Sequence, residues 1–335
     1  MDGVRILRGV DTPLAKRLPG FRSRPPWIGG DLQTLRDPLR RTARVDLAST
    51  ESRRFYVPLS VPGMQALAAK ADLPVRERRE ALILLLHGLG GCEDSTYMRR
   101  SAAALLRDGH VVVRLNLRGA GPSAGTSPGP YHAGLTEDLR AAVARIAEIW
   151  PDRPILALGF SLGGHLLLRL ACDPECPTIL LGIATISAPL DLAVTQKRFS
   201  SPRNRVYERY LLACLRRDLR RWAGVDNSFV PPAPRSIYAF DRDVVVPAHG
   251  FADVESYYHE MSVAHQLPAL GLPAMVLHAR DDPWIPAETY GHVAWPLRPD
   301  LLVALTAGGG HVGFHASGLD DPWYIEAVRA FRDHL

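Results

Sequence analysis

The chain has 335 residues, 47% of them hydrophobic, with 40 Lys and Arg against 35 Asp and Glu, a formal net charge of +5 and four cysteines. That length and apolar fraction suit a large core in one α/β domain carrying an insertion. The basic residues are mostly Arg scattered among acidic neighbours, which argues against nucleic-acid binding, and Cys92, Cys172, Cys176 and Cys214 form neither a disulfide framework nor paired CxxC zinc motifs.

Met1–Gly20 is interrupted by Arg5, Arg8, Asp11, Lys16 and Arg17, so no signal-peptide core and no membrane span are expected, and a cytoplasmic location follows. The first eighty residues, rich in Pro and Arg, read as an irregular arm followed by short antiparallel strands near Val45–Leu47 and Arg53–Leu59. Met64–Arg79 has a helix-like or linker-like composition. Leu82–Leu86 lies in a continuous apolar run of strand length and ends in His87-Gly88-Leu89-Gly90-Gly91, a Gly-rich loop of the kind that binds ligands at the carboxyl end of a buried parallel strand.

Ser95–Arg107 reads as a helix, His110–Leu117 as a strand, Leu135–Trp150 as a helix, and Thr178–Ala188 as another buried strand. Between the last two, Ile155–Phe160 runs into Gly159-Phe160-Ser161-Leu162-Gly163 and then a Leu-rich helical pattern. This is the spacing of a nucleophile elbow: the Ser takes a strained conformation at a strand-to-helix turn, and Gly two residues to either side leaves room for neighbouring backbone. The alternation of strands and helices predicts right-handed crossovers and a mainly parallel sheet.

From Asp191 to Leu267 the rhythm stops. Helices are expected near Tyr207–Trp222 and Phe251–Ala264, in an insertion lying as a cap above Ser161. The sheet resumes at Ala274–Ala279, which leads into Asp281-Asp282, and at Leu301–Leu305, which leads into Gly308-Gly309-Gly310-His311. Pro322–Leu335 reads as a closing amphipathic helix. The expected organisation is thus one domain over 1–335, with an arm and early hairpin at 1–80, a core at 81–190 and 268–335, and a cap at 191–267.

A serine hydroxyl needs a base, and the base needs a carboxylate to fix its tautomer. His311 alone among the twelve histidines follows a late strand that itself follows a strand ending in Asp. His87 reads as orienting the Gly-rich loop and His165 as packing; His278, His292 and His315 receive no role. The acid is Asp281 or Asp282: aligning Ala279–Pro286 on the pattern Gly-x-x-Asp-x-x-hydrophobic-Pro puts Asp282 in the acid slot and leaves Asp281 to cap the turn. The oxyanion donors expected are the backbone N–H groups of Leu162 and Leu89.

These motifs resemble the YheT-like group of the α/β-hydrolase superfamily. The resemblance rests on Pro25-Pro26-Trp27 with Gln33-Thr34, His87–Gly91, Asn116–Gly119, Gly159–Gly164, Phe240-Asp241, Gly250–Tyr258 and Gly309–Phe314. The chain departs from the group at Ala48–Arg53, where an acidic Asp-Gly-Asp type strand is expected. The resemblance implies an α/β-hydrolase fold, with a mostly parallel sheet of the eight-stranded type flanked by helices and a helical cap, and serine esterase or lipase-like acyl hydrolysis with no cofactor and no metal. The partner expected is a small-molecule acyl ester, medium-chain or lipid-like, with peripheral lipid contact allowed and oligomeric state left open.

Thioester hydrolysis and acyl transfer would use the same groups, and a silent binding scaffold shares the same fold. A dinucleotide-binding reading fails because no Gly-x-Gly-x-x-Gly follows the first parallel strand. The cap aromatics Phe229, Phe240, Phe251, Tyr257 and Tyr258, with Met261, are expected to shape an apolar acyl pocket, with Phe251 setting the preferred chain length.

Overall fold

A computed structural model describes residues 3–40, 47, 51–61, 63–77, 80–223 and 234–335. The chain enters through β1 (Val4–Arg8), α1 (Pro13–Arg17) and α2 (Gly30–Arg40), then forms β2 (Glu51–Pro58) and β3 (Ala66–Leu73). The alternating core follows as β4 (Leu82–Leu86), α3 (Thr96–Arg107), β5 (Val112–Leu115), α4 (Thr136–Ile149), β6 (Ile155–Phe160), α5 (Leu162–Ala171) and β7 (Leu180–Ile186). Helices α6 (Leu192–Phe199), α7 (Arg205–Ala223), α8 (Ile237–Phe240), α9 (Val246–His249) and α10 (Val254–Met261) separate β7 from β8 (Ala274–Ala279). The chain closes with α11 (Glu288–Gly291), β9 (Leu301–Thr306) and α12 (Trp323–Arg332).

Among the described residues nine strands join one sheet in the order β1-β9-β8-β7-β6-β4-β5-β3-β2, one strand more than the eight-stranded type expected. From β5 to β9 every neighbouring pair is parallel, while β1, β2 and β3 are attached antiparallel. The parallel strands are buried on both faces, as continuous apolar runs require. Leu82, Leu84 and Leu86 face a core shared with α4 and α5, whereas Ile83 and Leu85 face one built with α3 and α12.

Strand β5 lies on one side of β4 and β6 on the other, so the connections after β4 and β6 leave in opposite directions. Such a switch point opens a crevice beyond the carboxyl ends of the two strands. Register pairs Leu86 with Gly159, which sets the His87–Gly91 loop beside Ser161.

Two N-terminal expectations need correction, and a third is untested. Met64–Arg79 contains a strand rather than a helix or linker: β3 buries Leu67, Ala68, Ala69 and Ala71 between β2 and β5, and that pairing overrides the helix propensity of its alanines. The arm is not irregular throughout, since β1 pairs with β9 and Gly30–Arg40 is a helix. The strand expected at Val45–Leu47 falls on residues outside the description apart from Leu47.

Candidate functional site

Ser161 sits between β6 and α5 with φ 51° and ψ −121°, a conformation costly to an L-residue. The flanking glycines are sterically required. A Cβ on Gly159 would lie 2.5 Å from the Gly163 carbonyl oxygen, and one on Gly163 would lie 2.6 Å from that of His87. The Ser161 N–H donates to the Ile186 carbonyl at 2.8 Å, fastening the turn to β7.

The loop after β4 is held by its own hydrogen bonds. Gly88 N–H donates to the Tyr97 hydroxyl at 3.0 Å, Gly90 N–H to the Tyr131 hydroxyl at 2.5 Å, and Gly91 N–H to the Gly88 carbonyl at 3.1 Å. His87 fixes the loop's base: its Nε2 accepts from Leu117 N–H at 3.0 Å and its Nδ1 donates to the Gly88 carbonyl at 2.8 Å. Full burial lowers its pKa to about 4, against the opposing Gly88 bond, so the ring is neutral and has the tautomer these contacts demand. Leu89 lines the cavity between these tied residues, and Leu162 begins α5, where the first N–H groups have no intrahelical acceptor.

Asp282 and His311 meet across the ends of β8 and β9. His311 Nδ1 lies 2.9 Å from Asp282 Oδ2, while Asp282 Oδ1 accepts from the N–H groups of Trp284 at 2.7 Å and Ile285 at 3.0 Å. Burial raises the Asp282 pKa, but the charge and hydrogen bond of His311, then His278 and the Ile285 N–H, outweigh it and leave the carboxylate below its ordinary value. Trp284 stacks on the imidazole at 4.1 Å between ring centres. Asp281 instead accepts from Gly310 N–H at 2.9 Å, bracing the loop that carries His311.

The N-terminal Gln33-Thr34 motif braces the same loop. Thr34 Oγ1 accepts from His311 N–H at 2.8 Å. The fully buried Gln33 accepts from His315 N–H at 2.7 Å and donates to the carbonyls of His315 at 3.0 Å and Trp27 at 2.6 Å. Sequence reasoning quoted Gln33 and Thr34 as motif residues without assigning them this role, and it missed Trp284, Tyr97 and Tyr131. The Asn116–Gly119 motif is architectural: Asn116 accepts from Glu93 N–H at 2.9 Å, and Arg118 makes a bidentate buried pair with Asp138.

A cavity of about 530 Å³ opens over this arrangement. Ser161, His311, Leu89 and Leu162 line it, with Asp282 behind the imidazole. Its other walls include Leu35 and Pro38 of α2, Phe199 of α6, Leu211 and Tyr210 of α7, and Phe240, Tyr257 and Tyr258 beyond them. Asp241 also lines it, accepting from the Tyr258 hydroxyl at 2.5 Å; burial drives the carboxyl's pKa up to about 7 against that bond.

Phe251 and Met261 do not line this cavity, contrary to expectation. Phe251 packs behind the wall on Tyr257, at 4.9 Å, and His132, at 5.3 Å. Met261 packs elsewhere, its sulfur against Gly134 and its carbonyl 2.8 Å from His165 Nε2 and 3.0 Å from Arg169 Nη1. Phe229 lies outside the described residues.

His165 is buried, with its other nitrogen 2.7 Å from the Pro189 carbonyl, and does not line the cavity. His278 stacks on Tyr290 beneath Asp282, and His315 lies 3.2 Å from Arg36 Nη1. Among the described residues, no group of three potential metal ligands converges, and no helix is long and apolar enough to cross a membrane.

A sequence profile of the family described as alpha/beta hydrolase fold matches residues 81–316. YheT of Escherichia coli (strain K12) is 28% identical over 260 residues, covering 76% of either chain. Phospholipase ABHD3 of Mus musculus is 30% identical over 238 residues, covering 69% of this chain and 58% of the phospholipase; the match spans little more than half of that relative. Among solved structures, the Pyrococcus furiosus esterase Pf2001 superimposes with a TM-score of 0.58 at 17% identity, covering 87% of this chain and 93% of the esterase, a likeness of fold.

Proposed function

The chain belongs to the α/β-hydrolase fold family, in its YheT-like group, and from that premise we propose that it is a serine hydrolase cleaving carboxylic esters through an acyl-enzyme. The observation that carries this reading is the Asp282–His311 pair at 2.9 Å, facing the same cavity as a serine held at positive φ. Ser161 Oγ attacks the ester carbonyl while His311 Nε2 takes its proton. Asp282 keeps the Nδ1 proton in place and stabilises the imidazolium. The tetrahedral oxyanion is received by the N–H groups of Leu89 and Leu162. Collapse breaks the ester C–O bond, His311 protonates the departing alkoxide, and water repeats the sequence on the acyl-enzyme to release the acid.

The apolar walls support an acyl chain of medium length or a lipid-like ester as substrate. Each methylene buried there is worth about 0.8 kcal/mol, so kcat/KM is expected to rise up to about fourfold per added CH₂ until the cavity is filled. A stopped-flow series of p-nitrophenyl esters tests both halves of the proposal. The expected outcome is a burst stoichiometric with enzyme and a rising, then falling, length profile whose optimum moves with Tyr257→Ala. A profile that is flat and insensitive to Tyr257 would remove the acyl chain from this cavity, and p-nitrophenol release without Ser161 would remove the acyl-enzyme.

A further inference from the structure

Among the described residues, five large apolar side chains left in solvent lie on the helices that wall the cavity, two of them, Val206 and Tyr210, on its lining. Leu32 and Leu39 project from α2 on either side of the cavity-lining Leu35, Val194 from α6, and Val206 and Tyr210, 71% and 59% exposed, from α7. On α7, Val206 and Tyr210 are one turn apart and form a single outward stripe, while Leu211, Leu212, Leu215 and Leu219 face inward. Hydrogen bonds from Tyr207 and Arg203 to Asp31, both at 2.8 Å, tie α7 and its leading turn to α2, so the two helices make one rim. Apolar side chains exposed on adjoining helices beside an opening mark an interaction site.

The charge on the rim is predominantly positive, although Glu208 lies on α7 between Arg205 and Arg209, where it accepts from the Ile237 N–H at 3.0 Å. Arg205, Arg209, Arg217 and Arg220 are exposed along α7. The carboxylates nearby are engaged: Asp31 by Arg203, Asp37 by Arg36 and Arg100, Asp94 by Arg99 and Arg114, and Asp218 by Arg217 and Arg221. No ion pair among the described residues involves Arg205, Arg209 or Arg220.

We propose that this rim is a docking surface for an anionic lipid bilayer: Val206, Tyr210, Leu32 and Leu39 insert at the headgroup boundary, the α7 arginines pair with lipid phosphates, and the cavity opens onto the membrane. An amphipathic surface with apolar residues flanked by Arg binds such interfaces through buried apolar area plus attraction to anionic lipid. The inference deepens the ester-hydrolase reading, since a docked cavity would receive its acyl ester from the bilayer. Binding is measured without turnover, so each of the two readings can fail while the other stands.

The test is co-sedimentation of the full chain with vesicles of phosphatidylglycerol and phosphatidylcholine in equal parts, against vesicles of phosphatidylcholine alone. The expected result is preferential partition onto the anionic vesicles, weakened as salt rises from about 0.05 M to about 0.5 M. Arg205→Gln with Arg209→Gln should lower the partition coefficient about 30-fold, at about 1 kcal/mol per basic residue, while leaving hydrolysis of a soluble short-chain ester unchanged. Val206→Asp should lower vesicle binding at both salts. Equal partition onto both vesicle types, or partition unaffected by the paired Arg change, would overturn the proposal. So would equally tight binding to duplex DNA that ignores Val206→Asp, which would indicate a generic basic surface, or a dimer that Val206→Asp dissociates, which would assign the face to a second copy.

Discussion

Replacing Asp282 with Asn changes one atom of a buried side chain, and its consequence follows from the surrounding donors. Oδ1 accepts from two backbone N–H groups, those of Trp284 at 2.7 Å and Ile285 at 3.0 Å, so an Asn must present its amide oxygen to them. Its NH₂ then points at His311 Nδ1, where Oδ2 stood 2.9 Å away, and as a donor it forces the imidazole to carry its proton on Nε2. In the proposed mechanism that nitrogen can then no longer take the Ser161 proton. The expected loss is roughly 10⁴ in kcat, or about 5.5 kcal/mol, the scale of a triad left in the wrong tautomer. Asp281→Asn keeps an acceptor for Gly310 N–H and exchanges a charged hydrogen bond for a neutral one, which costs about 1 kcal/mol and less than about tenfold in rate. Steady-state hydrolysis of a p-nitrophenyl ester by both variants, with circular dichroism melts to verify folding, measures the difference. A well-folded Asp282→Asn enzyme within tenfold of wild type, or an Asp281→Asn enzyme the more damaged, would refute the reasoning.

Thr34→Val keeps the shape of the side chain but removes the acceptor of His311 N–H, a loss on the scale of about 1–3 kcal/mol for an unsatisfied buried donor. Its kcat should fall about tenfold while KM moves less than about twofold, and a purely thermal defect with kcat intact would make the Thr34 contact structural only. Asp241, raised to about 7 chiefly by burial, holds its proton more tightly folded than unfolded, so its contribution to stability is present below the ordinary carboxylate range and is lost as pH rises from about 4 to about 7. Asp241→Asn should therefore gain in melting temperature relative to wild type between about pH 5 and about pH 8, and a pH-independent difference would show that Asp241 does not titrate in this window.

Strands β4, β6, β7, β8 and β9 were legible because each is an apolar run buried on both faces, and burial of that kind is written in consecutive residues. The elbow was legible because close backbone approach demands Gly at 159 and 163. β1, Val-Arg-Ile-Leu-Arg, hides because it is a short edge strand with charges in it and takes its order from β9. α2 hides for a related reason: it contains Pro38, and its chemistry-bearing residues, Gln33 and Thr34, acquire meaning only against a loop some 280 positions away. The same holds for Tyr97 and Tyr131, whose hydroxyls accept from the loop flanking Leu89. In the insertion, aromatic composition pointed to a pocket wall, but composition cannot separate Tyr257, which lines the cavity, from Phe251, which packs behind it.

The central claim is that Ser161 is the nucleophile activated by His311. Intact-mass spectrometry of the protein treated with a fluorophosphonate tests it most directly, because phosphonylation requires both an activated hydroxyl and an oxyanion site. The account predicts one adduct per chain, mapped by peptide digestion to Ser161, absent from Ser161→Ala and strongly slowed in His311→Ala, with both variants folded. An adduct that persists in Ser161→Ala, or a wild-type protein that remains unlabelled while hydrolysing esters, would contradict it.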